Sequence, residues 1–236
     1  MINIEKLRFS FGSRRILRGI DVSIAPGEKI GLVGANGAGK TTLLKILSGI
    51  MMPDEGSVTI DGVELSANPI KYRSFIGYLS ESATTYEDMR VKEYLAFRAK
   101  LKGEAPKRLR RRLAEALELC HLDEVPREFI GNLSAGWRKR VALADALLMR
   151  PRFLLLDDFF AGFDISLRDE FSGIISNVAA FSSVIVSGHE LGDIIKCSGK
   201  ILVLKNGCAY LMARARNEDA AAFERRIREA VAIERK

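Results

Sequence analysis

The chain has 236 residues, 47% hydrophobic and 28% charged, a balance that excludes long disorder and suits one large domain or a core with a smaller subdomain. No stretch approaches the roughly 18 uncharged apolar residues of a membrane span, and the opening Met1-Ile2-Asn3-Ile4-Glu5-Lys6 lacks the apolar core of a signal peptide. Cys120, Cys197 and Cys208 are scattered without C-x-x-C spacing, which argues against a disulfide framework or zinc site and fits a reducing cytoplasmic setting; the net charge of +7 is compatible with nucleic acid, anionic headgroups or a solvated surface.

In chain order, residues 2–9 and 20–24 read as short strands, followed by a Pro26-Gly27 turn and a buried strand at Lys29-Ile30-Gly31-Leu32-Val33. That strand runs into Gly34-Ala35-Asn36-Gly37-Ala38-Gly39-Lys40-Thr41, a complete G-x-x-x-x-G-K-[ST] phosphate loop. Leu43, Ile46 and Leu47 then recur at helical spacing, and Gly49 stands where the helix should stop. The glycines let the backbone wrap closely around phosphates, with the N–H groups of the helix start pointing inward. Lys40 can reach the β and γ phosphates, the Thr41 hydroxyl can ligate Mg²⁺, and Thr42 belongs with them to the phosphate-contacting set.

Residues 57–60 before Asp61-Gly62 look like part of a hairpin, and 75–79 is a further strand. From about 88 to 130 the character is helical. One helix is marked by Val91, Tyr94, Leu95 and Leu101, and the next carries five cations in Lys107-Arg108-Leu109-Arg110-Arg111-Arg112. Leu109, Leu113, Ala116, Leu117 and Cys120 recur through that block, so it reads as the outer face of an amphipathic helix. Strands return at Phe153–Leu156, 184–187 and 201–205, and the last twenty residues read as a surface helix with a frayed end. The pattern is α/β: a mixed sheet core with an antiparallel β region near the N-terminus and an inserted helical region.

Two further segments carry chemistry. Phe153-Leu154-Leu155-Leu156-Asp157-Asp158 is an apolar strand ending in carboxylates, which supplies the acidic Mg²⁺ partner that a phosphate loop lacks. Asp157 is the metal-linked acid, and Asp158 lies where it can orient or deprotonate an attacking water. Leu133-Ser134-Ala135-Gly136-Trp137 opens a helix, and a Ser and a Gly at a helix start make either an ordinary N-cap or an anion-binding end.

The order of phosphate loop, helical insertion, Leu-Ser-Ala-Gly, acidic strand and Ser187-Gly188-His189 resembles the ATP-binding-cassette (ABC) nucleotide-binding domain over about residues 2 to 212. It is most similar to the stand-alone subunits of bacterial ABC transporters. The resemblance implies a P-loop NTPase of ABC type over residues 1–212, a helical subdomain at about 82–138, and a helical tail at 213–236. It implies that Ser134, Ala135 and Gly136 cap the γ-phosphate of ATP held by a second subunit, in a head-to-tail dimer of identical chains or of a paired relative. Phe11 matches the aromatic that stacks on adenine. Glu81 matches a residue that senses Mg²⁺ and the membrane partner, and His189 the switch histidine at the γ-phosphate. Residues 161–164 match a loop that contacts the other subunit.

The resemblance further implies a Mg²⁺-dependent ATPase, cytoplasmic and peripheral on the inner face of the membrane. It would drive a membrane-spanning subunit on a separate chain, with no nucleic-acid partner. Four departures matter. Asp158 replaces the usual catalytic Glu, Glu81 the usual Gln, Ala135 and Trp137 the usual Gly and Gln, and Phe159-Phe160 the usual Pro-Thr. The shorter carboxylate predicts slow hydrolysis with retained ATP binding, and leaves a slowly or non-hydrolysing switch as the alternative. The single cassette and Glu81 lean toward export; the cargo is not written in these residues.

Overall fold

The computed structural model describes residues 1–215 and 217–232. Strands β1 (Ile2–Phe11) and β2 (Arg14–Ile24) form an antiparallel hairpin, which β4 (Glu55–Ile60) and β5 (Val63–Glu64) extend into a four-stranded sheet ordered β2-β1-β4-β5. A second, six-stranded sheet contains β3 (Lys29–Val33), β6 (Ile76–Leu79), β7 (Phe153–Leu156), β8 (Ser183–Ser187), β9 (Lys200–Lys205) and β10 (Cys208–Ala213), in the order β10-β9-β3-β8-β7-β6. Its pairs are parallel except β9 with β10. The mixed core and the antiparallel N-terminal sheet therefore match expectation.

Helices α1 (Lys40–Leu47), α2 (Pro69–Arg73), α3 (Val91–Leu101), α4 (Pro106–Leu119), α5 (Ala135–Leu147), α6 (Ile165–Val178), α7 (Leu191–Cys197) and α8 (Ala220–Val231) complete the described fold, with a 3₁₀ turn at Ile130–Asn132. Strands β7 and β8 are buried along their whole length, as parallel strands covered on both faces must be. One apolar cluster joins the sheet to α5, α6, α7 and the α3–α4 region; the other fills the space between the two sheets around α1.

The sheet register positions the site. Leu79 pairs with Leu156, Leu156 with Val186, and Leu32 with Ser187. The residues following β3, β6, β7 and β8 thus emerge side by side at one carboxyl edge, the place where open α/β sheets bind ligands.

Helix α1 ends at Leu47, and Gly49 follows with φ 75° as the left-handed residue that closes it. In α4, Leu113, Ala116 and Leu117 are buried, while Lys107, Arg108, Arg110 and Arg111 face solvent. Arg108 and Arg112 turn onto the buried carboxylate of Glu104, and Arg112 also reaches Glu115. The basic block is a solvated helix face with partners inside the fold. In α8, Phe223 and Ile227 are buried in the main cluster, so this helix is docked as well as exposed; the expected frayed end at residues 233–236 lies outside the described residues.

Candidate functional site

The phosphate loop leaves β3 and enters α1 through Gly37 (φ 76°) and Gly39 (φ 105°), left-handed positions that suit glycine. At Gly34 a Cβ would collide with the Leu204 carbonyl oxygen, so only glycine lets the loop pass that close to β9. Gly39 caps α1 with no side-chain acceptor, which leaves the first-turn N–H groups for a ligand. The Lys40 ammonium is buried and donates to the carbonyls of Gly34 (2.8 Å) and Ala35 (3.3 Å), folded back over its own loop. Burial lowers its pKa, and the charges of Asp158 and Asp157 oppose that shift.

Asp157 follows β7 and is 2% exposed. Its Oδ1 accepts from Ser187 Oγ at 2.9 Å and from Thr41 Oγ1 at 3.2 Å, and its Oδ2 accepts from the Tyr78 hydroxyl at 3.4 Å. Burial and the Asp157 charge push the Tyr78 hydroxyl up, which keeps it protonated and donating. Ser187, fully buried at the end of β8, also accepts the Asp158 N–H at 2.9 Å. One hydroxyl therefore ties both acids to the neighbouring strand.

Asp158 itself sits at φ 43°, a left-handed conformation that Asp tolerates better than most residues. Its Oδ2 lies 3.3 Å from His189 Nε2, whose side chain is half exposed.

Phe159 and Phe160 are buried, and Phe159 packs edge-on against Phe160, Phe163 and Phe171 at 5.2–5.9 Å. The sequence left open whether this pair packs inward or presents a surface; it packs inward, as an aromatic cluster directly behind Asp158. Lys139 of α5 places its Nζ 5.5 Å from the Phe159 ring centre. Burial lowers its pKa, opposed by Asp158, Glu81 and Asp157, so it is a second lysine in the field of the acids.

A cavity of about 390 Å³ is lined by Phe11, Asn36, Gly37, Gly39, Lys40, Thr41, Thr42, Glu81, Asp157, Asp158 and His189, joined by Arg14, Ile16 and Ser187. Phe11 is 55% exposed, so it is not a core residue. Gly34, Ala35 and Ala38 shape the loop without lining this cavity.

Ser134, Ala135 and Gly136 do not line it either. Ser134 is exposed and N-caps α5, its Oγ accepting from Trp137 N–H at 3.4 Å, while Gly136 packs against Leu167. Trp137 lies under the buried Arg140 guanidinium, 5.0 Å from its ring, and Arg140 pairs with Glu170. Asp164 likewise caps α6, accepting from Leu167 N–H at 2.8 Å.

Sequence reasoning did not assign Tyr78, Ser187, Arg14 or Lys139 to the site. Ser187 and Tyr78 had a readable signal, since each stands at or near the end of a strand that pairs with β7. Lys139 had none, because α5 brings its charge near the acids from another part of the fold, without an ion pair to them among the described residues.

The donor set fits Mg²⁺ with a nucleoside triphosphate. Hydroxyl and carboxylate oxygens of Thr41 and Asp157 converge beside free helix N–H groups, and no group of three or more His, Cys, Asp or Glu is arranged to hold a metal ion by itself among the described residues. Mg²⁺ is commonly bound in that way, by one or two side chains plus substrate phosphates.

Comparison with known proteins agrees. The ABC transporter family model matches residues 17–161. The sulfate/thiosulfate import ATP-binding protein CysA of Methylococcus capsulatus is 34% identical over 213 residues, covering 87% of this chain. The chain spans 61% of that relative's length. The uncharacterized ABC transporter ATP-binding protein YxlF of Bacillus subtilis is 31% identical, covering 88% of this chain and 68% of its own. Among solved structures, cbiO1 from Clostridium perfringens, described as part of the ABC transporter complex cbiONQ, superposes with a TM-score of 0.81 at 25% identity, over 90% of this chain and 87% of that one.

Proposed function

The chain belongs to the ABC transporter family, and from that premise we propose that it is the ATP-hydrolysing subunit of a transporter whose membrane-spanning part is a separate polypeptide. The observation that carries this reading is the cavity in which Lys40, Thr41, Asp157, Asp158 and His189 meet at the carboxyl edge of the sheet. Residues 1–212 form the ATP-binding unit in this reading, with the helical subdomain at about 82–138 and the tail at 213–236. No helix among the described residues is long and apolar enough to cross a membrane, and the reading assigns the spanning part to another chain. The subunit would then sit on the cytoplasmic face of the membrane.

Adenine would stack on the exposed ring of Phe11. The phosphates would take the N–H groups of the loop through Gly39 and the start of α1, and Lys40 would exchange the carbonyls of Gly34 and Ala35 for β and γ oxygens. Thr41 and Asp157 would hold Mg²⁺, which supplies neutralisation of charge on the transferred phosphoryl group. Asp158 would orient the attacking water and take its proton, with His189 holding that carboxylate and meeting the γ-phosphate. Glu81, on the rim of the same cavity, would report its state toward the membrane partner.

Ser134, Ala135 and Gly136 stand outside their own chain's cavity, which supports a role at the γ-phosphate of a second copy or a paired relative. Cargo and direction belong to the membrane subunit in this reading.

Mg-ATP binding and phosphate release by the purified chain test the proposal. Wild type should bind and hydrolyse, and Asp158→Asn should bind without turnover. A chain that takes up no Mg-ATP at millimolar concentration would refute it.

A further inference from the structure

A second cavity, of about 590 Å³, lies on the other side of the phosphate loop. It is enclosed by the start of β2, by Ala35, Asn36, Gly37 and Ala38, and by the β9–β10 turn at Lys205, Asn206 and Gly207. Four cations line it: Arg14, Arg15, Arg18 and Lys205. None of the four side chains makes an ion pair or hydrogen bond among the described residues. In α4, by contrast, Arg108, Arg111 and Arg112 all find a glutamate. Like charges gathered without counter-charge repel one another, and an anion placed among them removes that cost.

The walls are fixed. Arg18 N–H donates to the Gly207 carbonyl at 2.7 Å, pinning β2 to the β9–β10 turn. At Gly207 a Cβ would come within 2.6 Å of the Ile16 carbonyl oxygen and 2.7 Å of Arg18 Cγ, so the turn is seated directly on the strand that carries the arginines. The Arg14 guanidinium comes 3.9 Å from where a Cβ on Gly37 would stand, so it reaches the phosphate loop itself. The volume suits a small ligand of nucleotide size or less, and guanidinium groups match phosphate oxygens in forked pairs.

We propose that this cavity is a second anion site, distinct from the ATP cavity, for a compact ligand bearing two or more phosphates. Its source is either a soluble phosphorylated metabolite or the headgroup of an anionic lipid. Arg14, Ile16, Asn36 and Gly37 line both cavities, so occupancy of one changes the affinity of the other reciprocally. That coupling rests on the ATP reading; the anion site does not.

Arg15, Arg18 and Lys205 line only the second cavity, which separates the two sites experimentally. Inorganic pyrophosphate is titrated by calorimetry into Asp158→Asn saturated with Mg-ATP, and into the same protein carrying Arg15→Gln and Arg18→Gln. A parallel arm measures cosedimentation with vesicles of phosphatidylcholine containing cardiolipin, whose headgroup carries two phosphates, against phosphatidylcholine alone. The expected result is one added anion per chain, weakened about tenfold or more by the double substitution, with Mg-ATP affinity changed less than about twofold. Binding to pyrophosphate supports the soluble source; binding only to the anionic vesicles, lost with the same two arginines, supports the lipid source.

Lys205→Gln gives an independent variant should the double one fold poorly. Absence of both kinds of binding, or binding indifferent to Arg15, Arg18 and Lys205, overturns the proposal. Failure of Mg-ATP to bind counts against the ATPase reading alone, because pyrophosphate titrated into the nucleotide-free chain still reads the dependence on Arg15 and Arg18.

Discussion

Asp158→Glu should speed hydrolysis, and the structure sets the scale. The substitution adds one methylene, which carries the carboxylate about 1.5 Å farther from a backbone that Ser187 holds at the Asp158 N–H. A misplacement near 1 Å costs on the order of 100-fold when base and water must align. Restoring reach should therefore raise kcat by about 10- to 100-fold, roughly 1.4 to 2.7 kcal/mol of barrier.

The backbone opposes this in stability but not in rate. Residue 158 is left-handed (φ 43°), where Glu is less at ease than Asp, so the variant should unfold about 1 kcal/mol more easily. That strain is common to the ground and transition states and leaves kcat untouched. The assay is steady-state phosphate release with Mg-ATP, beside an equilibrium binding titration and a urea melt. An unchanged or lower kcat at unchanged ATP affinity would refute the claim that the short carboxylate limits turnover.

Lys40→Ala should weaken Mg-ATP binding at least about tenfold in a titration with the fold intact, since it deletes a charge-assisted contact from a loop whose glycines hold its shape. Phe159→Ala should destabilise the chain by about 3–5 kcal/mol in urea unfolding, because it opens a cavity in the aromatic cluster behind Asp158. Glu104 is buried, which by itself would raise its pKa, but Arg108, the Ala105 N–H and Arg112 hold it below the usual carboxylate value. A depressed carboxylate stabilises the fold above its unfolded pKa and loses that stability as pH falls toward the folded one. Glu104→Gln should accordingly lower the melting temperature at neutral pH, with the gap to wild type closing below about pH 4.

Much of the fold was legible because apolar runs, turn residues and the phosphate loop all point the same way. The long β2 was seen only as residues 20–24, since Arg14, Arg15 and Arg18 interrupt its apolar pattern on the side of the basic cavity. Strand β10 was missed because its residues are mostly exposed or half-buried. Its signal was the Asn206-Gly207 pair (φ 52° and 79°), a two-residue hairpin turn that joins it to β9. Helix α2 is five residues started by the Asn68 cap and Pro69, too short for periodicity to register.

At the site, motif spacing named Lys40, Thr41, Asp157 and Asp158, and the family resemblance named His189. Spacing cannot show that Ser187 bridges two acids, or that α5 brings the Lys139 charge into their field, because sheet register and tertiary packing create those arrangements. The inward packing of Phe159 and Phe160 was undecidable for the same reason, since their partners Phe163 and Phe171 lie on the loop and helix beyond them.

The proposed function requires that ATP held by one chain be completed by Ser134, Ala135 and Gly136 of a second. Sedimentation equilibrium of Asp158→Asn decides whether it is. The expected outcome is a shift from monomer to dimer mass on adding Mg-ATP, none with ADP, and loss of the shift in a protein that also carries Ser134→Arg and still binds ATP. A chain that binds Mg-ATP and stays monomeric at high protein concentration, or a dimer indifferent to Ser134, would contradict it.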